Sequence, residues 1–322
     1  MARAFIIDTD TASDDAVALI MALRWPDVDV KAITMVAGNV GLEQATRNAL
    51  YTVGLTGKSV PVYKGASKPL TRRHENAQWF HGQDGLGDQG YPPPSQQAES
   101  KPAVDAIIET VKTNPGIVMV TLGPLTNIAL AVSKAPEIVP LISRCVIMGG
   151  AACCVGNVTP AAEYNIWVDP EAAHIVFSSG LAIEMVGWEL CRGDANLRQN
   201  DIDYIRDQNT TLGHFTIDCN SVAMAANFKQ SAEIGIALPD PVTMAVALDP
   251  NVVKRASKHY VAIEHQSELT RGMTVVDQLG VTGEVLNVSV WGNLHQREAN
   301  AQVVWEIDIP HWKQMLFQAI SG

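Results

Sequence analysis

The chain has 322 residues, 47% hydrophobic and 18% charged, which is enough apolar sequence for a large core in one α/β domain or in two. Its formal net charge of −11 argues against a polyanionic partner such as DNA, RNA or an acidic membrane surface and suits a neutral or cationic small molecule, or a bound metal. No apolar run is long enough to span a bilayer, and the five cysteines (145, 153, 154, 191 and 219) have no metal-ligand spacing; with no signal-like leader before the first strand, the expectation is a cytoplasmic protein with reduced thiols.

The first apolar run, Phe5 to Ile7, ends in Asp8 and Asp10. A short polar turn follows, then an apolar-periodic segment (Ala16, Val17, Leu19, Ile20, Leu23) that predicts a helix capped by Thr11 or Ser13. Asp8 and Asp10 are two positions apart and should share one side of the strand end. Asp14 and Asp15 open the helix. Helix-dipole complementation explains those two acids but leaves Asp8 and Asp10 without a reason to end a buried strand. Four carboxylates on one strand-to-helix turn repel unless a cation or protons intervene. They are all oxygen donors, which suits Ca²⁺ or Mg²⁺ better than Zn²⁺. In an open α/β sheet such a turn is where ligands bind.

A second strand is predicted at Val30 to Val36, a helix from Leu42 to Leu55, and a short strand at Val60 to Tyr63. This alternation is that of a parallel sheet. Residues 66–100 break the rhythm with Gly82, Gly85, Gly87, Gly90 and three consecutive prolines around Trp79-Phe80-His81. Aromatics and a histidine among glycines suggest a lid or pocket wall. The alternation resumes with a helix to Lys112, a strand at Ile117 to Thr121, a helix from Leu125, a strand at Cys145 to Met148, a polar loop at 151–168, a helix at Pro170 to Ser178 and a strand at Ile183 to Gly187. Residues 195–229 read as helical. Asp240-Pro241 should open another helix, with Asp240 as cap. Apolar alternation at Tyr260 to Ile263, Val285 to Trp291 and Val303 to Ile307 suggests antiparallel strands before a closing helix. No repeat, linker or low-complexity tract divides the chain, so one domain over 1–322 is expected.

Asn39 ends the second strand, and an amide beside carboxylates can both donate to and accept from hydroxyls. In the loop 157–169, Glu163 and Asn165 alternate with apolar neighbours, so an extended segment would turn both to one side, where they and Asn157 could hold a sugar.

The string Asp8-Thr9-Asp10-x-x-x-Asp14-Asp15-Ala16 resembles the opening signature of the inosine-uridine-preferring nucleoside hydrolases. Further segments occur in that family's order: Gly38-Asn39, Gly123-Pro124-Leu125-Thr126-Asn127, Met148-Gly149-Gly150, Ala162-Glu163-Tyr164-Asn165, Asp169-Pro170 and Asp240-Pro241. The resemblance implies a Rossmann-like, single-domain α/β fold with an open, mostly parallel sheet, some antiparallel strands toward the C-terminus, and Ca²⁺-dependent hydrolysis of ribonucleosides to free base and ribose. It implies Asp10, Asp15, Asp240 and the Leu122 carbonyl as Ca²⁺ ligands. Asp14, Asn39 and Asn165 would bind the ribose 2′- and 3′-hydroxyls, and Asn157 and Glu163 the 5′-hydroxyl. Asp10 would also deprotonate the attacking water, and a homodimer or homotetramer is expected. Many members place His or Trp before the acid corresponding to Asp240, where this chain has Pro239. His81, in a loop resembling the family's base-side loop, and Trp79, which could stack on a base, are the substitutes; residues 215–236, with Phe228, Lys229 and Glu233, should form the other wall. Two further readings stay open: a non-hydrolytic riboside binder, motivated by Pro239, and a Mg²⁺ phosphohydrolase of the haloacid dehalogenase type built on Asp8 and Asp10. The latter usually has Thr or Val where this chain has Ala12.

Overall fold

A computed structural model describes residues 2–284 and 297–321. The first half alternates strand and helix: β1 (Arg3–Thr9), α1 (Ser13–Arg24), β2 (Val28–Met35), α2 (Leu42–Leu55), β3 (Val62–Lys64), a single turn α3 (Gln78–His81), α4 (Ala103–Thr113), β4 (Ile117–Thr121), α5 (Thr126–Lys134) and β5 (Ile142–Met148). The second half comprises α6 (Tyr164–Val168), α7 (Pro170–Phe177), β6 (Ile183–Val186), α8 (Gln199–Asp207), α9 (Thr211–Cys219), α10 (Ser221–Ser231) and α11 (Pro239–Leu248). It ends with β7 (Val253–His259), β8 (Val261–Ile263), β9 (Thr274–Val276), β10 (Ala301–Ile307) and α12 (Ile309–Ile320).

Eight strands form one sheet in the order β3-β2-β1-β4-β5-β6-β10-β7. All neighbours are parallel except β7, which runs antiparallel to β10 at the edge. Successive residues of β1 face opposite layers, as a pleated strand requires. Phe5 and Ile7 join a core with α1, α2, α11 and α12, whereas Ile6 joins the core with α4, α5 and α7. The strand order reverses between β1 and β4, so the loops after those two strands diverge to opposite faces and leave a crevice at their C-terminal ends. Helix α1 is buried from Ser13 through Leu23 because it is wedged between α2, α11 and α12.

The segment 66–100 is irregular as expected, holding only the α3 turn and an isolated bridge from Tyr63 to Glu99. Several other expectations shift. The helical region expected at 195–229 is divided into three helices, α8, α9 and α10. Glu163 and Asn165 do not lie on an extended segment: Glu163 is the N-cap of α6. Helix α11 starts one residue before Asp240, with Leu238 at the cap. A proline at the first helical position loses no hydrogen bond there, and Pro239 takes it. Strands β7 and β9 carry too little apolar alternation to be foreseen. The expected strand from Val285 to Trp291 lies outside the described residues.

Trp312 on α12 is fully buried, so Trp312→Ala should cost about 3–5 kcal/mol, measured by urea denaturation.

Candidate active site

The turn after β1 is built from its own side chains. The residue preceding α1 is Ala12, which has no side-chain acceptor; Asp15, three residues on, reaches back to accept the Ala12 N–H at 2.9 Å. The expected caps are engaged elsewhere, with Thr11 paired to Thr9 Oγ1 at 3.0 Å and Ser13 Oγ against His81 Nδ1 at 2.9 Å. Thr9 also donates to Asp15 Oδ1 at 2.6 Å. Asp240 arrives in the first turn of α11, so the positive ends of two helices serve one group of acids.

Carboxylate oxygens of Asp14, Asp15 and Asp240 lie within 4.8 Å of one another. Asp10 lies against this group, with Oδ2 accepting the Asn39 N–H at 2.6 Å. Asp10 Oδ1 and Asp14 Oδ1 are buried with no hydrogen-bond partner among the described residues. All four acids are held above the usual carboxylate range, first by burial. Asp15 adds to the effect on Asp10, Asp14 to that on Asp15, and all three others to that on Asp240; Asp14 rises to about 6. Unpartnered buried oxygens in an all-oxygen cluster fit a hard divalent cation, which would supply the missing contacts. The grouping brings Asp14 in beside Asp15 and Asp240. The Leu122 carbonyl accepts Asn165 Nδ2 at 2.8 Å, and a carbonyl keeps a second lone pair.

Two glycines make room for Asp10. A Cβ on Gly38 would overlap Asp10 Oδ2 and lie 2.7 Å from Cγ, and one on Gly123 would lie 2.7 Å from Oδ1. Asp8 is spent differently from Asp10. Its Oδ1 accepts Thr34 Oγ1 at 2.5 Å and Asn127 Nδ2 at 2.8 Å, and Asn127 also donates to the Met35 carbonyl at 2.9 Å. Through Oδ1 Asp8 therefore ties β1 to β2 and α5, a structural reason to end a buried strand, while its Oδ2 is buried without a partner among the described residues.

Above the acids opens a cavity of about 260 Å³. Asp14, Asn39, Leu122, Asn157, Glu163, Asn165 and Asp240 line it, with Trp79 and His81 on the α3 side. Asp10 and Asp15 lie beneath, fully buried. Asn39 Nδ2 reaches Asp15 Oδ2 at 3.4 Å. Glu163 accepts the N–H groups of Asn165 at 2.9 Å, Gly150 at 2.9 Å and Ile166 at 3.3 Å, yet burial still lifts its carboxyl to about 7. Asn157 Oδ1 accepts the Tyr164 N–H at 2.9 Å. Trp79 stands at the rim, 62% exposed.

The sequence profile described as "Inosine-uridine preferring nucleoside hydrolase" matches residues 5–314. The chain belongs to this family. A pyrimidine-specific ribonucleoside hydrolase, RihA, from Shewanella baltica is 42% identical over 294 residues, covering 90% of this chain and 91% of that one. Among solved structures, a plant nucleoside hydrolase superposes with a TM-score of 0.91 at 29% identity, covering both chains completely. A purine-preferring ribonucleoside hydrolase from Gardnerella vaginalis superposes with a TM-score of 0.88 at 34% identity, covering 99% of this chain and 98% of that one.

In this nucleoside hydrolase the wall opposite α3 differs from expectation. Gln230, Ala223 and Asn220 line the cavity. Phe228 is largely exposed, and Glu233 pairs with Arg192 at 2.8 Å instead. Gln230 Nε2 donates to the Asn157 carbonyl, which ties α10 to the loop carrying Asn157. Trp188 also lines the cavity, whereas His214 pairs with Arg206 and His265 stacks on His174. Asn220 marks the break between α9 and α10, a boundary that a helical reading of 195–229 does not locate. Burial and Glu189 push the Cys154 thiol up to about 12, so it is protonated.

Gly38→Ala should cost about 1–3 kcal/mol by overpacking, seen in chemical denaturation, with Asp10 displaced in a crystal structure of the variant. Burial holds Asp8 and Glu163 at about 7 and Asp14 at about 6, against about 4 in an unfolded chain. Between those values the folded state binds more protons, so stability falls as pH rises through the window. Metal-stripped protein should therefore melt at a lower temperature at about pH 8 than at about pH 5. Scanning calorimetry checks this, and a divalent cation should raise the melting temperature most at the higher pH.

Proposed function

We propose that this chain hydrolyses the N-ribosidic bond of ribonucleosides, with Ca²⁺ held by Asp10, Asp15, Asp240 and the Leu122 carbonyl. The observation that carries the reading is the pair of buried, unpartnered carboxylate oxygens on Asp10 and Asp14, directly below a cavity walled by amides and a carboxylate suited to a sugar. The ion, when bound, supplies the positive charge that lets these acids ionise together and hold oxygen ligands.

Asp14, Asn39 and Asn165 grip the 2′- and 3′-hydroxyls, and Asn157 and Glu163 the 5′-hydroxyl. Bond breaking leaves an oxocarbenium-like ribose, as in glycoside hydrolysis, and the surrounding carboxylates favour its positive charge. Asp10 takes a proton from the water that attacks C1′ as the C1′–N pair leaves with the base. His81 gives a proton to the departing base, and Trp79 stacks on it. Pro239 has no proton to give, which puts the burden on His81. The protein works as one domain, in the cytoplasm, as a homodimer or homotetramer.

A non-hydrolytic riboside binder is the second reading, favoured by Pro239 alone. The phosphohydrolase alternative needs Asp8 as a nucleophile, but Asp8 is buried, held by Thr34 and Asn127.

Purified protein with Ca²⁺ should release base from at least one member of a panel of purine, pyrimidine and nitrophenyl ribosides, followed by reducing-sugar assay. Chelation should remove the activity, and Asp10→Ala should lower kcat by about 10³-fold or more. Tight nucleoside binding by calorimetry without turnover would support the binder instead.

A further inference from the structure

Ser13 is not absorbed by the reading above. It lies at the first position of α1, fully buried, and caps nothing. Its Oγ instead meets His81 Nδ1 at 2.9 Å, joining the helix that carries the acids to the loop that carries the imidazole. The backbone of Ser13 is held from the other side: Asn220 Nδ2 lies 3.4 Å and Cys219 Sγ 3.6 Å from its carbonyl. His81 is fixed at its own backbone, donating to the Ala77 carbonyl at 3.1 Å and accepting from Gly87 at 2.9 Å.

A histidine ring has two nitrogens, and what one of them binds decides what the other can offer. Nδ1 faces Ser13, with Asp14 Oδ1 at 3.7 Å. Nε2 has no hydrogen-bond partner among the described residues, and His81 lines the cavity. A serine hydroxyl can donate or accept. When it accepts from Nδ1–H, the protonated ring holds its second proton on Nε2, the nitrogen left for the cavity.

We propose that Ser13 is a positioning residue for leaving-group protonation: its hydroxyl oxygen accepts from His81 Nδ1–H and so sets the orientation of the protonated ring and leaves its Nε2 proton for the base. This rests on the ribonucleoside-hydrolase reading. In the step served, the C1′–N electron pair goes to the base, a base nitrogen takes the Nε2 proton of the imidazolium and leaves a neutral ring with Nδ1–H on Ser13, and a solvent proton later restores the imidazolium. Ser13 is not among the residues that line the cavity, so its removal should be felt only where the base needs a proton.

The test compares Ser13→Ala with the parent enzyme, both loaded with Ca²⁺, on a ribonucleoside and on 4-nitrophenyl riboside, whose leaving group departs without protonation. Ser13→Ala should lower kcat on the ribonucleoside by about tenfold to a hundredfold, with KM nearly unchanged, and leave the nitrophenyl rate within about twofold of the parent. In a His81→Ala background Ser13→Ala should cause no further loss, as expected for residues acting through one another. Ser13→Cys, near-isosteric with a weaker acceptor, should give an intermediate loss and keeps the experiment readable should the alanine variant not fold. Equal losses on both substrates, no loss on either, or additive losses with His81→Ala would overturn the role of Ser13. A parent enzyme that hydrolyses the nitrophenyl riboside but no ribonucleoside would overturn it too, and one that turns over neither would overturn the parent reading itself.

Discussion

Four buried carboxylates within one strand-to-helix turn and one neighbouring helix end impose the constraint on which the rest of the molecule depends. Their charges cannot all persist in a low-dielectric pocket without a counter-charge. The chain supplies part of it, through the N-terminal ends of α1 and α11 and the N–H groups of Ala12 and Asn39. It does not supply all of it, because Asp10 Oδ1 and Asp14 Oδ1 find no partner. The shortfall is local, and it lies at the floor of a cavity.

The fold explains why the acids can meet. The reversal of strand order between β1 and β4 opens the crevice, and α11 is brought back to it from far along the chain. Gly38 and Gly123 remove the two side chains that would fill the space of Asp10. Asp8, two residues earlier, is spent on holding β1 to its neighbours. One strand end thus carries a structural acid and a chemical one, told apart by what surrounds them and not by residue type.

Much of this was legible in the sequence. Regular alternation gave the parallel sheet, and helix Leu42–Leu55 and strand Ile117–Thr121 fall where periodicity puts them. The residues singled out for the sugar, Asn39, Asn157, Glu163 and Asn165, do line one cavity. What stayed hidden depends on tertiary contact. Asp8 looked like a partner of Asp10 because spacing shows direction along a strand but not the neighbour across it. Glu163 and Asn165 looked extended because a one-turn helix is too short to show a period. Asn220 and Gln230 carry no pattern at all, and only the packing of α9 and α10 brings them to the pocket. Pro239 reads as a missing acid from the motif; the structure adds that it begins α11.

Helix α1, which follows the first strand, is covered by α12, the last helix, and Arg24 at its end donates to the carbonyl of Ser321 at 2.9 Å. During synthesis on a ribosome, the segment bearing three of the four acids emerges ahead of α12 and waits for that distant helix before its apolar back is covered. Its native burial cannot be completed until α12 has followed, and peeling that helix away at any later time would lay bare the back of the segment again.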